Sequence, residues 1–226
     1  MEYEITGKSF PIVRMKLQKG ETVKTESGGM TYMSSGITMD TNTSGGIMKG
    51  LGRVLSGDTF FLTHYTAETD YEEIAFSAAF PGRIIPYELN GSNTLIAQKN
   101  AFLVAENDVD LDIFLQKTLG AGIFGGEGFV LQKLSGKGTA FLEISGDIIE
   151  RELQPGERIR VDPGHVAALQ ETVEFDIERV KGAKNMLFGG EGIFFATLTG
   201  PGKVWLQSMP LSRLAEALIP YMPTKE

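Results

Sequence analysis

Hydrophobic and polar residues alternate in short runs along the chain, a pattern typical of half-buried β-strands. In the segment VDLDI, Val109, Leu111 and Ile113 point to one side and the two intervening aspartates to the other. Other runs are continuously apolar, as in Phe129-Val130-Leu131, which indicates burial on both faces of a strand. The pattern predicts an all-β protein with a short C-terminal helix at 211–220, whose apolar residues recur at helical spacing.

The strand pattern recurs three times along the chain. The segments LQKGETVKTESGG, LNGSNTLIAQKNA and LQPGERIRVDPGH begin at Leu17, Leu89 and Leu153 and align without gaps. Each is followed by an alternating strand, a glycine-rich connection and a further apolar strand. Such self-similarity is the signature of a repeat architecture. We therefore expect one compact domain, 1–226, built from three repeats at approximately 17–88, 89–152 and 153–209.

The two ends of the chain complement each other in this alignment. The third copy turns helical after Met209, where the other copies have a strand, and a matching strand stands before the first copy at 10–17. Closing a sheet removes exposed strand edges. We therefore predict that strand 10–17 closes the third repeat and that the repeats surround a pseudo-three-fold axis.

Three strings carry a resemblance to a known family: LQPGERIRVDPGH, LIAQKNAFLV and RVKGAKNMLFGGEGIFFATLTGPGKVWLQSMPL. They resemble the family named for altered inheritance of mitochondria, member 24, and especially its bacterial branch. The resemblance implies a fold like that of the tryptophan RNA-binding attenuator protein, present three times as packed β-sandwich or jelly-roll units. Mitochondrial relatives are implicated in inner-membrane organisation. The first residues contain neither a transit peptide nor a signal-peptide core, which favours the bacterial branch and a cytoplasmic location.

Composition excludes several classes of chemistry. The 226 residues contain no cysteine, which excludes disulfides, thiolate zinc sites, iron–sulfur clusters and cysteine nucleophiles. The formal net charge of −8 disfavours binding to phosphate backbones, so we expect no nucleic-acid partner. No apolar run approaches the ~18–20 residues of a membrane span.

The two histidines, His64 and His165, occupy non-equivalent positions in the repeat alignment. The repeats therefore do not build a symmetric imidazole site, and we expect that the two residues do not hold a metal together. A Ser-based triad would need one of them as its base, and the sequence has no Gly-x-Ser-x-Gly elbow. We predict a protein that is not an enzyme, with no cofactor and no metal.

An acidic residue follows a glycine in all three glycine-rich connections. Asp58, Glu127 and Glu191 occupy one aligned position, and Gly126 and Gly190 precede the last two. Backbone amides on such segments can bind anions, and a ring of carboxylates can bind a cation. The alternative is local capping of the amides by each carboxylate. These five residues are the ligand or cation candidates of the sequence.

Membrane or partner contact is the remaining specific hypothesis. Met48 and Leu51 lie in a partly basic stretch of the first connection, and Leu214 and Leu218 lie in the predicted helix. Short apolar segments of this kind lie on bilayers or form oligomer contacts. We therefore expect a homo-oligomer with peripheral membrane contact.

The sequence leaves two classes of function open. The favoured hypothesis is a non-catalytic binding or scaffold protein. The alternative is a small-molecule-binding or enzymatic β-barrel, which a well-formed apolar pocket with convergent polar groups would favour. RNA binding ranks below both, because a shared fold does not carry function.

Overall fold

The structure is a computed structural model, and it describes residues 1–26, 28–41, 62–117, 129–179 and 194–222. Within these ranges the chain forms β-strands and one α-helix, α1 (Leu211–Leu218), which a 3₁₀ turn extends over Ile219–Tyr221. The strands are β1 (Glu2–Thr6), β2 (Ile12–Leu17), β3 (Thr22–Glu26), β4 (Met30–Met33), β5 (Ile37–Asp40), β6 (Leu62–Ala67), β7 (Glu72–Ser77), β8 (Gly82–Asn90), β9 (Leu95–Gln98), β10 (Phe102–Glu106), β11 (Val109–Lys117), β12 (Phe129–Ser145), β13 (Ile148–Leu153), β14 (Arg158–Val161), β15 (Val166–Gln170), β16 (Glu174–Arg179), β17 (Phe194–Thr199) and β18 (Gly202–Gln207). The prediction of an all-β fold with a short C-terminal helix is confirmed.

The antiparallel strands pair in a scheme that occurs three times. In unit 1 (β2–β7), β7 lies between β2 and β4, and β6 lies between β3 and β5. In unit 3 (β13–β18), β18 lies between β13 and β15, and β17 lies between β14 and β16. In unit 2 (β8–β12), the long strand β12 takes both central places. Its C-terminal half pairs with β8 and β10, and its N-terminal half pairs with β9 and β11.

A shift in pairing register also recurs once in each unit, in the third strand. The shifts lie between Met30 and Tyr32, between Phe102 and Val104, and between Val166 and Ala168. Each is a β-bulge, in which one extra residue bends the strand and increases its twist. The three units therefore share their register as well as their strand order.

Strand β12 runs from one sheet into the next, and glycine permits the bend. Gly136 has a φ of +90°, and a Cβ at this position would lie 2.2 Å from the Asp108 carbonyl oxygen. A side chain there would meet both a strained backbone and a steric clash. The glycine therefore keeps β12 continuous between its two pairing regions.

The hydrophobic core has three parts, and each part takes side chains from more than one unit. The first packs unit 1 residues such as Phe76 against Phe141 of unit 2. The second packs unit 2 against Trp205 of unit 3, and the third packs unit 3 against Phe129 of unit 2. Phe129, Val130 and Leu131 are all buried, as their apolar run predicts. This sharing of cores fixes each unit on the next.

Two edge pairings join the units in series. Strand β10 of unit 2 pairs with β3 of unit 1, and β15 of unit 3 pairs with β9 of unit 2. In both junctions the third strand of one unit pairs with the second strand of the preceding unit. The order of the units in space therefore follows the order of the chain.

The prediction that strand 10–17 closes the third repeat is wrong. Strand β2 pairs with β1 on one side and with β7 of its own unit on the other. The reason is the phase of the repeat. The leucines that head the aligned segments lie at or next to the ends of β2, β8 and β13, so each unit begins with the strand that contains its leucine. Strand β2 is therefore the first strand of unit 1, as β13 is of unit 3. Unit 3 already has its last strand, β18, and lacks nothing that β2 would supply.

Candidate functional site

The acidic glycine segments connect paired strands. Residues 41–61 link β5 to β6, residues 118–128 link β11 to β12, and residues 180–193 link β16 to β17. The strands of each linked pair are antiparallel neighbours. The candidates on these segments lie outside the described residues: Asp58, Gly126, Glu127, Gly190, Glu191, Met48 and Leu51. The functions predicted for them stay predictions: ligand or cation binding or local capping for the acidic glycine positions, and membrane or partner contact for Met48 and Leu51.

A polar row crosses three strands of unit 1 just beyond one of these segments. Lys24 on β3 pairs with His64 on β6, and His64 pairs with Asp40 on β5. Cross-strand partners of this kind have neighbouring side chains on one face of the sheet. The row therefore places an ammonium group, an imidazole and a carboxylate side by side.

Lys24 is unusually enclosed for a lysine, at 7% exposed. Its Nζ donates a hydrogen bond of 2.6 Å to the carbonyl oxygen of Asn107, which follows β10 of unit 2. Burial lowers the pKa of Lys24, and the charges of Asp110 and Asp108 oppose that shift. The lysine therefore lies between units 1 and 2 and links them.

Burial also lowers the pKa of His64, the nearby charge of Lys24 lowers it further, and Asp40 opposes both effects. The imidazole is therefore neutral at pH 7, because its ordinary pKa already lies below that value. A neutral imidazole can donate from one nitrogen and accept at the other. The row combines a hydrogen-bond donor, an acceptor and a cation at the junction of two units.

His165 belongs to a different environment. It ends the 3₁₀ turn Pro163–His165, and its Nδ1 lies 2.7 Å from the carbonyl oxygen of Gln207. The buried amide of Gln207 donates to the Gln98 Oε1 at 3.1 Å and to the Gly164 carbonyl at 2.8 Å. The bond to Gln98 joins units 2 and 3, and the other two lie within unit 3. Within the described ranges no cluster of three His, Asp or Glu side chains has metal-binding geometry, and the two histidines share no partner.

A second buried amide lies at the other junction. Gln132 on β12 is fully buried, and its Nε2 donates to the Glu26 Oε1 at the end of β3. Its Oε1 has no hydrogen-bond partner among the residues that the structure describes. The pair again connects units 1 and 2. Sequence analysis missed both this pair and the Lys24–His64–Asp40 row, because each depends on which strands become neighbours.

A recurring aspartate is the sequence signal that points to the row. Asp40, Asp112 and Asp176 recur in the aligned segments, and they pair with His64, Lys133 and Thr197 in the three units. The central partner differs in each unit, so only unit 1 has an imidazole at this place in the row. A search for recurring polar positions would have identified Asp40 and its strand, though not its neighbours.

The C-terminal segment, residues 211–222, is an exposed apolar surface. Leu218 is 51% exposed, Ile219 62%, Tyr221 84% and Met222 64%. Leu214 is half-buried, so of the two predicted contact residues in the helix Leu218 is the more accessible. No helix among the described residues is both long enough and apolar enough to cross a membrane. The segment therefore offers apolar side chains at the surface without entering the core.

Comparisons with known proteins identify one family and two similar bacterial proteins. The sequence profile described as "Mitochondrial biogenesis AIM24" matches residues 3–209. Uncharacterized protein M6_Spy0233 of Streptococcus pyogenes serotype M6 is 29% identical over 223 residues, which cover 95% of this chain and 88% of that protein. The X-ray crystal structure of protein SPYM3_0169 from Streptococcus pyogenes is similar to this chain, with a TM-score of 0.79, 25% identity, and coverage of 98% of this chain and 99% of that one.

Proposed function

Because the chain belongs to the mitochondrial biogenesis AIM24 family, we propose that it is a non-catalytic binding or scaffold protein that assembles with copies of itself and contacts a membrane surface. Its relatives include an uncharacterized bacterial protein that aligns over 95% of this chain, which supports a cytoplasmic role outside mitochondria. The proposal excludes an enzymatic role and a bound cofactor.

The exposed C-terminal segment carries the proposal. Four large apolar side chains within five residues, 218–222, are more than half exposed. Contiguous apolar surface of this kind marks protein or membrane contact sites. A short amphipathic helix followed by an aromatic residue is suited to the headgroup region of a bilayer. Because the chain carries a net charge of −8, attraction to anionic lipid contributes little and apolar insertion supplies the binding.

Vesicle flotation tests this proposal directly. Wild-type protein is expected to float with vesicles of phosphatidylcholine, and added phosphatidylglycerol should not strengthen binding. A variant with Leu218→Ser, Ile219→Ser and Met222→Ser should stay at the bottom of the gradient. Phe10→Ser, a matched control at a side chain that is 68% exposed outside the segment, should float like wild type. Wild-type protein that does not float would contradict membrane contact.

We also infer that the three units are tandem attenuator-like repeats. Their shared pairing scheme and their matching β-bulges support this inference, since unrelated units would not share both. Strand pairing determines the order of the units but not the rotation between them. The pseudo-three-fold relation therefore stays a prediction, which superposition of the three units in a crystal structure would test.

A second candidate function rests on the Lys24–His64–Asp40 row. Side chains whose pKa values are shifted by burial and a charged neighbour are typical of binding and catalytic sites. The row favours an anionic small molecule, because it offers an ammonium group and an imidazole donor at a junction of units. A thermal-shift screen of small anions against wild type and Lys24→Met tests this candidate. A ligand that stabilises wild type but not Lys24→Met would support it. RNA binding ranks below both candidate functions, because the net charge of the chain is −8.

A further inference from the structure

Several strands pair on one side only within the described residues, and two of these, at opposite ends of the series, hold the places that form the internal junctions. Strand β4 is the third strand of unit 1 and pairs with β7 alone. Strand β14 is the second strand of unit 3 and pairs with β17 alone. Third and second strands are the partners at both internal junctions, β10 with β3 and β15 with β9. The two ends of the series therefore carry complementary edges.

From this complementarity we propose that β4 of one copy of this chain pairs with β14 of a second copy, head to tail. The inference deepens the proposed scaffold function and rests on it. It specifies that a second copy continues the series of units through the same kind of junction that the chain already forms twice. An interface between two different surfaces repeats in each added copy and produces either a ring or a filament.

The internal junctions predict the register of this pairing. At the first, Ala105 pairs with Lys24; at the second, Leu169 pairs with Ile96. In unit 1, Met33 holds the place of Ala105, because Met33 pairs with Ile74 as Ala105 pairs with Ala140. In unit 3, Arg160 holds the place of Lys24, because Arg160 pairs with Thr197 as Lys24 pairs with His64. Met33 of one copy should therefore lie opposite Arg160 of the next.

An uncovered apolar side chain marks the place for a following unit. Ile85 of unit 2 and Ile149 of unit 3 hold the same place in the pairing scheme, opposite Leu142 and Leu206. Ile85 packs in the core that Trp205 of unit 3 completes. In unit 3, by contrast, Ile149 is 51% exposed. A second copy placed on the β14 edge supplies the missing cover.

Charge complementarity favours the same partner. Strand β14 presents two exposed arginines, Arg158 and Arg160. Two carboxylates of the adjacent strand β7 bond to residues on or next to β4: Glu73 accepts a hydrogen bond from Tyr32, and Glu72 accepts one from Ser34. Opposite charges on two surfaces steer association and set its orientation. Because these charges lie at the surface, salt should weaken the assembly.

Cysteine cross-linking tests the register, because the natural chain has no cysteine. A chain carrying both Met33→Cys and Arg160→Cys should form a ladder of disulfide-linked multimers on oxidation. The matched control carries Thr31→Cys with Arg160→Cys, which the register places too far apart, and should give little cross-linking. Equal ladders from both variants, or none from the first, would overturn the proposed pairing.

Sedimentation velocity of the full chain provides the second measurement. Wild type should associate reversibly, with a larger monomer fraction at high salt. Arg158→Glu with Arg160→Glu should shift the protein to monomer, whereas Arg83→Glu, an exposed control on β8, should not. A wild-type chain that stays monomeric up to its solubility limit would overturn the inference. Vesicle binding would still stand in that case, so failure of this junction is distinguishable from failure of the proposed membrane contact.

Discussion

Tyr3 on β1 packs edge to face against Phe141 on β12, with ring centroids 4.8 Å apart and an interplanar angle of 83°. The contact connects a strand that precedes unit 1 to the central strand of unit 2. The same place in unit 3 is held by Trp205, which meets Tyr87 of unit 2 at 5.8 Å and 90°. An aromatic pair therefore fixes each of the last two units to the part of the chain before it.

Removing the first of these rings should weaken the fold without abolishing it. Tyr3→Ala loses an aromatic pair, worth ~0.5–1.5 kcal/mol beyond area burial. Because burial of the ring is lost as well, we expect the free energy of unfolding, measured by urea denaturation, to fall by at least that amount. Tyr221→Ala, which removes a tyrosine that is exposed at the other end of the chain, should leave stability unchanged. Equal effects of the two substitutions would contradict a role for β1 in covering Phe141.

Gly82, at the start of β8, should not tolerate a side chain. A Cβ there would lie 1.9 Å from the Ile144 carbonyl oxygen of the paired strand. Because backbone atoms must move to relieve this clash, we expect Gly82→Ala to destabilise the protein by ~3 kcal/mol. Thermal unfolding measures the effect. Gly164→Ala is the control: its nearest neighbours are side-chain atoms at 3.3 Å, and a drop in melting temperature as large as that of Gly82→Ala would show that the clash is not the cause.

Ionisation of Glu143 on β12 makes the stability of the folded protein depend on pH. Burial raises the pKa of this carboxyl group, although a hydrogen bond from the Ala79 N–H opposes the shift. A raised pKa in the folded state means that the folded protein holds this proton more tightly than the unfolded chain. The resulting stability is present below the unfolded pKa and is lost as the pH rises through the folded one.

Glu143→Gln should therefore raise the melting temperature at neutral pH, because the amide keeps the hydrogen bond and carries no buried charge. The gain should shrink as the pH is lowered and the wild-type carboxyl becomes protonated. Glu88→Gln removes an exposed carboxylate from the adjacent strand and serves as the control. A gain of equal size at acidic and neutral pH would argue against ionisation as its origin.

His64 should titrate below the ordinary range of histidine. Its pKa is lowered by burial and by Lys24, so the folded state binds this proton less readily than the unfolded chain. The lowered pKa therefore stabilises the folded state while the imidazole is neutral, and this stabilisation is lost as the pH falls below the pKa of the unfolded chain, about 6.5. With only two histidines in the chain, NMR can follow each imidazole separately.

Lys24→Met should raise the pKa of His64, because it removes the neighbouring positive charge. Lys8→Met, which changes an exposed lysine near the N-terminus, should not alter it. An unchanged His64 titration in Lys24→Met would show that the two side chains do not interact. That result would contradict the proposal that the Lys24–His64–Asp40 row is a binding site.

The hydrophobic pattern determined the strands of this protein, and tertiary structure determined their partners. Alternation predicts the β11 strand, since Val109 is buried while Asp110 and Asp112 are exposed, because the side-chain period of a strand is local. The same local pattern cannot show where a repeat begins, so the strand at Ile12–Leu17 was assigned to the wrong unit. Its pairing with β7 depends on contacts between residues about sixty positions apart.

The candidate site shows the same division. Sequence alone indicated that the two histidines are not equivalent, since their aligned positions differ. That Lys24, His64 and Asp40 lie in one row was decided by the pairing of β3, β6 and β5. The enclosure of Lys24 required a further step, the docking of unit 2, whose Asn107 carbonyl oxygen accepts a hydrogen bond from the Lys24 Nζ. Burial and charge neighbours are properties of packed strands, and no spacing along a single strand encodes them.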